Sequence, residues 1–182
     1  MIYEEKAVVK GCLKKDPKSQ QALYNQYADL FFGLACRYTR QEMEAEDVLQ
    51  ESFIKIFQNL GQYSGLGSFE GWMKRIVVTT AINYYHKNKK DLSFSAHTYE
   101  SENVSEHNNI IDQLSTEELL SCLRSLPEGF RLIINLYAIE GYSHKEIAAM
   151  LNISEGTSKS QLSRGRKLLE VKMLEKNKIK IL

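Results

Sequence analysis

Along most of the chain the apolar residues return every third or fourth position, the period of an α-helix with one buried face. Leu23, Tyr27, Leu30, Phe31, Leu34 and Tyr38 trace one such stripe. Val48, Leu49, Phe53, Ile56, Phe57 and Leu60 trace another, with Gly61 standing where a C-terminal glycine would end the helix. A third begins near Phe69 and runs through Trp72, Ile76, Ala81 and Tyr84 into the basic tract His86-Lys87-Asn88-Lys89-Lys90. The pattern predicts a first helical block over residues 2–90, punctuated by Asp16-Pro17 and by the glycine-rich stretch 61–67. Over 91–114 the period fails and Ser, Asn, His and acidic residues take over, which predicts a flexible linker, since so long a loop is unusual inside one compact domain.

Helical order resumes at Ser115, where Ser115-Thr116-Glu117-Glu118 has the form of a capping box ahead of Leu119, Leu120, Leu123 and Leu126. Pro127 opens a further helix through Ile133, Ile134, Leu136 and Tyr137, and Gly141 closes it. A second capping box, Ser143-His144-Lys145-Glu146, leads Ile147, Ala148 and Leu151 into the turn Asn152-Ile153-Ser154. The last helix carries Leu162, Leu168 and Leu169 on its inner side and Lys159, Arg164, Arg166 and Lys167 on its outer side. The expected fold is therefore all-α, with two small helical domains over 1–90 and 115–182 joined by an acidic linker over 91–114.

Composition supports this and narrows the setting. A chain of 182 residues with 43% hydrophobic content can bury the cores of one ordinary or two small domains, and its two prolines leave long helices unbroken. No apolar run is long enough to span a membrane and the first ten residues do not form a signal peptide, so the expected location is cytoplasmic, without membrane insertion. The three cysteines, Cys12, Cys36 and Cys122, lie far apart and form no CxxC, which argues against a disulfide framework or a thiolate zinc site and reads as small buried hydrophobes.

The net charge of +1 is a cancellation between segments. Residues 41–51 carry five acids and no base, 74–90 five bases and no acid, 91–120 seven acids and no base, and 154–182 eight bases against three acids. Because attraction to phosphate is local and screened beyond about 8–10 Å, the two basic segments point to two nucleic-acid contacts on one chain.

Three constellations carry candidate chemistry. Residues 143–167 have the form of a helix-turn-helix: Glu155, Gly156, Thr157, Lys159 and Ser160 lie at the N-terminal end of the second helix, suited to the major groove, and Arg164, Arg166 and Lys167 follow, suited to backbone contacts. Asp47, Gln50 and Glu51 share the face of their helix opposite Val48, Leu49 and Phe53, either as a solvated acidic surface or as a docking face for a basic partner. The loop Gln62-Tyr63-Ser64-Gly65-Leu66-Gly67-Ser68 offers glycines, an aromatic ring and hydroxyls to an unstacked base, with Lys74, Arg75, Asn83 and Lys87 on the following helix for phosphate and base contacts. Trp72 on that helix reads as core. The loop lacks the GK[ST] of a P-loop, and no Ser, Cys, Lys or His falls in a catalytic or metal-binding motif, so neither an enzyme, a cofactor, a metal nor a small-molecule substrate is expected.

Taken in order, Ala45-Glu46-Asp47-Val48-Leu49-Gln50-Glu51-Ser52-Phe53, Ser68-Phe69-Glu70-Gly71-Trp72-Met73-Lys74-Arg75-Ile76, Leu126-Pro127-Glu128-Gly129-Phe130-Arg131, Gly141-Tyr142-Ser143-His144-Lys145-Glu146-Ile147-Ala148 and Gly156-Thr157-Ser158-Lys159-Ser160 resemble the extracytoplasmic-function (ECF) group of bacterial sigma factors. The resemblance implies promoter-specific transcription initiation with core RNA polymerase and promoter DNA as partners, and a possible anti-sigma factor. It implies that Asp47, Gln50 and Glu51 dock on polymerase. Tyr63, Ser64, Gly65, Lys74, Arg75, Asn83 and Lys87 would open and read the minus-ten element. Glu155, Gly156, Thr157, Lys159, Ser160, Ser163, Arg164, Arg166 and Lys167 would read the minus-35 element, and the acidic linker would thread polymerase channels. Ser158, Gln161, Gly165 and Tyr137 depart from the commonest family pattern, which bears on the DNA sequence read and on local packing. The competing readings are a stand-alone helix-turn-helix regulator with an N-terminal dimerisation module, and a helical adaptor that binds only proteins.

Overall fold

A computed structural model describes residues 2–88 and 115–181, and the chain divides into two compact units, Met1–Lys89 and Lys90–Leu182. Among the described residues all regular structure is helical. The linker expected over 91–114 lies outside the described residues.

The first unit packs four helices: α1 (Ile2–Leu13), α2 (Pro17–Tyr38), α3 (Glu42–Asn59) and α4 (Phe69–Asn88). Asp16 caps α2, its carboxylate accepting from the Ser19 N–H at 2.9 Å and from the Ser19 hydroxyl at 2.6 Å, with Pro17 in the first turn where a missing N–H costs nothing. Those two bonds, the hydroxyl first, hold the Asp16 carboxyl below the usual carboxylate range. Glu44 reaches back to the N–H groups of Arg40 and Gln41 at 2.8 and 3.2 Å, starting α3. Leu23, Phe31, Val48, Phe53, Ile56, Met73 and Val77 form the core between α2, α3 and α4.

Three expectations about this unit need correction. Gly61 does not end α3 as a left-handed cap. The helix stops at Asn59 and tightens into a 3₁₀ turn, Leu60–Gln62, with the Tyr63 N–H on the Leu60 carbonyl at 3.2 Å and Leu60 itself buried. Leu30 belongs to no core stripe and is 44% exposed. On α4 the buried side is Phe69, Met73, Val77, Val78, Ala81, Ile82 and Tyr85, while Trp72, Ile76 and Tyr84 are only half-buried. Because α4 packs against both α2 and α3, its apolar side is wide and is centred one position beyond the stripe read from the sequence.

The second unit contains α5 (Thr116–Arg124), α6 (Glu128–Ile134), α7 (His144–Leu151) and α8 (Glu155–Ile181). Both capping boxes form: Ser115 with Glu118, and Ser143 with Glu146. Pro127 is the cap of α6 and not its first residue. The helix expected to run unbroken to Gly141 widens into a π-helical turn, Asn135–Ile139. The extra residue per turn buries Asn135 and Leu136 while leaving Tyr137 36% and Ile139 45% exposed. Arg131 is fully buried, its guanidinium donating to the Arg124 carbonyl at 3.2 Å and lying 3.8 Å from the Glu128 carboxylate. Ser154 starts α8, its hydroxyl accepting from the Thr157 N–H at 3.0 Å. Farther along, the Cys122 thiol of α5 meets the Lys172 carbonyl at 3.8 Å beside buried Met173.

Gly165 is where α8 crosses α6. A Cβ there would lie 3.0 Å from the Phe130 Cβ and 3.1 Å from the Ile134 Cδ1, so the glycine, unfavourable for helix propensity by roughly 1 kcal/mol against alanine, permits the close approach. Gly165→Leu is expected to destabilise this unit by about 1–3 kcal/mol through overpacking. Chemical denaturation followed by far-UV circular dichroism measures it, and an unchanged midpoint would refute the close α6–α8 contact.

Candidate nucleic-acid and partner interfaces

On α3 the burial of Ala45, Val48, Leu49, Ser52, Phe53 and Ile56 turns the opposite side to solvent. Asp47, Gln50 and Glu51 are all exposed there, as the sequence pattern predicts. Two apolar residues share that side: Met43 is 71% and Ile54 55% exposed. At 100° per residue, Met43, Asp47, Gln50 and Ile54 fall on one stripe with Glu51 at its edge. The sequence reading missed Met43 and Ile54 because it looked for charge. Their signal was present as apolar residues out of phase with the core stripe. Glu51 is also held from within, since Lys55 pairs with it at 2.6 Å and donates to the buried Thr80 hydroxyl of α4 at 3.3 Å.

The loop after α3 is built by its own side chains. Gly65 and Gly67 have φ of 74° and 82°, a region costly for residues with a Cβ. The Tyr63 hydroxyl donates to the Gly67 carbonyl at 2.9 Å, and the Leu66 N–H reaches the Ser64 hydroxyl at 3.4 Å. Leu66, between the two glycines, is 86% exposed. The Tyr63 ring lies 5.1 Å from Phe69 and 5.6 Å from Trp72, and Trp72 stacks on Phe69 at 5.8 Å. Trp72 is thus half-buried as a wall of the loop's base instead of core. Tyr63 is committed to holding the loop closed, while Ser64 and Gly65 are exposed.

Along α4, Arg75, Thr79, Asn83 and Lys87 are exposed at successive four-residue steps and make a continuous polar ridge beyond the loop. Lys74 lies off that ridge, half-buried and paired with Glu70 at 2.7 Å. Of the four α4 residues singled out from the sequence, the fold therefore aligns three and diverts one. Thr79, whose hydroxyl donates to the Arg75 carbonyl at 2.8 Å, occupies the gap between them and was missed.

In the second unit α7 and α8 make the helix-turn-helix, joined through Asn152 in the left-handed region at φ 53°. Ser158 and Leu162 are buried and Gly165 faces α6, which leaves Gly156, Ser160, Ser163 and Lys167 as the outermost stripe of α8. Glu155, Lys159 and Arg166 flank it on one side and Arg164 on the other, all exposed. Thr157 is half-buried and its hydroxyl is engaged with that of Ser154 at 2.8 Å, so it serves the start of the helix.

None of the three cysteines is in a disulfide and all are buried, and burial raises the thiol pKa of Cys12 and Cys122. Among the described residues no group of three or more His, Cys, Asp or Glu side chains could hold a metal, and no helix is long and apolar enough to cross a membrane.

Comparison with known proteins gives this arrangement a family. The sigma-70 region 2 model matches residues 23–91 and the sigma-70 region 4 model residues 116–169. The ECF RNA polymerase sigma-E factor of Haemophilus influenzae is 30% identical over 183 residues, covering 93% of this chain and 95% of its own. That of Salmonella typhimurium is 31% identical over 180 residues, covering 93% and 94%. A solved structure of the sigma factor RpoE from Bartonella quintana, in complex with the anti-sigma factor NepR, shares the fold at a TM-score of 0.52 and 21% identity, covering 85% of this chain and 96% of that one. Two helical units matched in order by two sigma-70 regions, with relatives at about thirty per cent identity along nearly the whole length, leave one assignment: the protein belongs to the ECF RNA polymerase sigma factors.

Proposed function

We propose that this sigma factor, which directs promoter-specific transcription initiation, divides that work between its units by the kind of surface each helix leaves in water. The outer stripe of α3, Asp47, Gln50 and Glu51 with Met43 and Ile54, docks on core RNA polymerase. The loop carrying Ser64 and Gly65, shaped by Tyr63, and the α4 ridge of Arg75, Asn83 and Lys87 bind the opened minus-ten element, with Lys74 available once Glu70 yields it. The outer side of α8, from Glu155 and Gly156 through Lys159, Ser160, Ser163, Arg164, Arg166 and Lys167, reads the minus-35 element as duplex, with Thr157 fixing its first turn. The segments 1–90 and 115–182 are then the polymerase and minus-ten domain and the minus-35 domain, joined over 91–114.

The observation that carries this reading is the separation of charge by helix. An acidic and apolar stripe on α3 suits a protein surface and repels phosphate, whereas the exposed sides of α4 and α8 are basic and hydroxyl-rich. The protein works in the cytoplasm with polymerase, by binding and without a reaction of its own. Because the Bartonella quintana relative is held by an anti-sigma factor, we assign the same class of partner here, covering the DNA-facing surfaces in the inactive state. A stand-alone regulator would need neither the α3 stripe nor the loop.

Replacing Asp47, Gln50 and Glu51 together by alanine is expected to weaken binding to core polymerase at least tenfold, since charged interface pairs contribute about 1 kcal/mol or more each, while leaving the helical signal intact. A pull-down or titration with bacterial core polymerase measures this, and parent-like affinity would sink the docking assignment. Tyr63→Phe removes the hydroxyl that closes the loop, a bond worth about 0.5–1.5 kcal/mol. Hydrogen exchange of the loop amides should rise roughly two- to tenfold, and initiation on duplex promoter should fall with it. Unchanged exchange would mean that the hydroxyl does not hold the loop.

A further inference from the structure

Three side chains that the recognition surface does not account for meet behind it. Ser158, in the first turn of α8, is a hydroxyl with no exposure at all. Such a group needs a hydrogen-bond partner, and the His144 Nδ1 supplies one at 2.9 Å from the first residue of α7. The His144 ring in turn stacks on Tyr137, with centroids 4.5 Å apart and planes at 21°. The π-helical turn is what brings Tyr137 to that place, since it carries the ring outward while Asn135 and Leu136 go into the core. Lastly, the Arg166 guanidinium lies over the Tyr137 ring, 5.7 Å from its centroid. The series Ser158, His144, Tyr137, Arg166 therefore leaves α8 on its buried side and returns to it two turns later on its exposed side.

We propose that His144 is a positioning residue for duplex recognition: its bond to Ser158 sets how α8 sits on α7, and its stack on Tyr137 fixes the platform that presents Arg166 to a DNA phosphate. Physically, the two ends of the series do different things. The apolar contacts of Ile147, Leu151 and Leu162 decide which sides of α7 and α8 face each other but leave the fine rotation of one about the other to be set, because hydrophobic contact is non-directional. A hydrogen bond to a fully buried hydroxyl is directional, and leaving that hydroxyl unpaired is costly, so it selects one rotation. At the other end, a guanidinium held over the ring by cation–π attraction keeps N–H donors available to a phosphate, and the ring limits the rotamers that Arg166 must give up on binding. Ser158 and Tyr137, both departures from the usual family pattern, become one device, because the hydroxyl requires His144 and His144 rests on the ring. This rests on the reading of α8 as the minus-35 helix.

The test uses full-length protein in holoenzyme, on a linear duplex promoter and on a pre-melted bubble lacking a minus-35 element. His144→Leu should lower affinity for the duplex about tenfold and leave initiation on the bubble unchanged, whereas His144→Asn, which keeps a polar atom near the Nδ1 position, should stay within about threefold of the parent. The double variant His144→Leu with Ser158→Val should recover most of the loss, because no buried hydroxyl then lacks a partner. Tyr137→Leu should reduce the slope of log affinity against log salt by about one, the signature of a lost phosphate contact. Loss of equal size on both templates, failure of the double variant to recover, or an unaltered salt slope for Tyr137→Leu would each overturn the proposal. Lys159→Ala with Arg164→Ala serves as the control for α8 itself. If that pair leaves duplex affinity unchanged, the minus-35 reading fails; if it lowers affinity while His144→Leu does not, only the positioning role fails.

Discussion

Neither unit is large enough to surround a helix, so each helix gives one stripe to a core and leaves the remainder in water. The inner stripe of α3, from Ala45 to Ile56, decides that Met43, Asp47, Gln50 and Ile54 face outward, and the burial of Ser158 and Leu162 decides which side of α8 is open. The surfaces proposed for polymerase and DNA are therefore by-products of packing, fixed as firmly as the cores are. In the second unit that firmness rests on a group unusual for a core. The buried Arg131 guanidinium, bonded to the last carbonyl of α5 and beside Glu128, ties the corner between α5 and α6 on which α8 lies. The Arg124 carbonyl is what the buried guanidinium depends on most, since Glu128 is partly exposed and 3.8 Å away.

Helical period and capping chemistry made most of this architecture readable from the residues. Asp16-Pro17, Ser115 with Glu118 and Ser143 with Glu146 each mark a helix start where the structure has one, because a cap is a local interaction between residues three apart. What failed was non-local. The width of the buried side of α4 depends on two neighbours at once, so its phase was read one residue early. The π-helical turn at Asn135–Ile139 has no signature in its own residues and is visible only in the Glu140 N–H reaching the Asn135 carbonyl, five residues back, at 3.0 Å. Gly61 looked like a helix stop because glycine often is one, whereas buried Leu60 beside it drew the chain into a tighter turn.

The same contrast separates the site residues. Charged positions such as Asp47, Lys159 and Arg164 were expected in water from type and spacing, and they are exposed. Partners that reach across the fold did not: Lys55 linking Glu51 to Thr80, and Tyr63 closing its own loop onto Gly67, needed coordinates. The Lys55 bridge is of interest because its two ends belong to different tasks. Glu51 stands on the outer face of α3 proposed to dock on polymerase, and Thr80 lies on the helix whose other side carries Arg75, Asn83 and Lys87. A surface pair of this kind contributes little to stability, so its worth lies in holding Glu51 in one orientation relative to α4.

The sheltered thiols have a practical side. A thiol reacts through its thiolate, and burial both blocks access and, for Cys12 and Cys122, holds the proton on. Native protein should thus be nearly silent to maleimide dyes and crosslinkers at neutral pH. A single new cysteine on the open side of α3 or α8 would then report proximity to polymerase or promoter without first stripping the chain of its own sulfur.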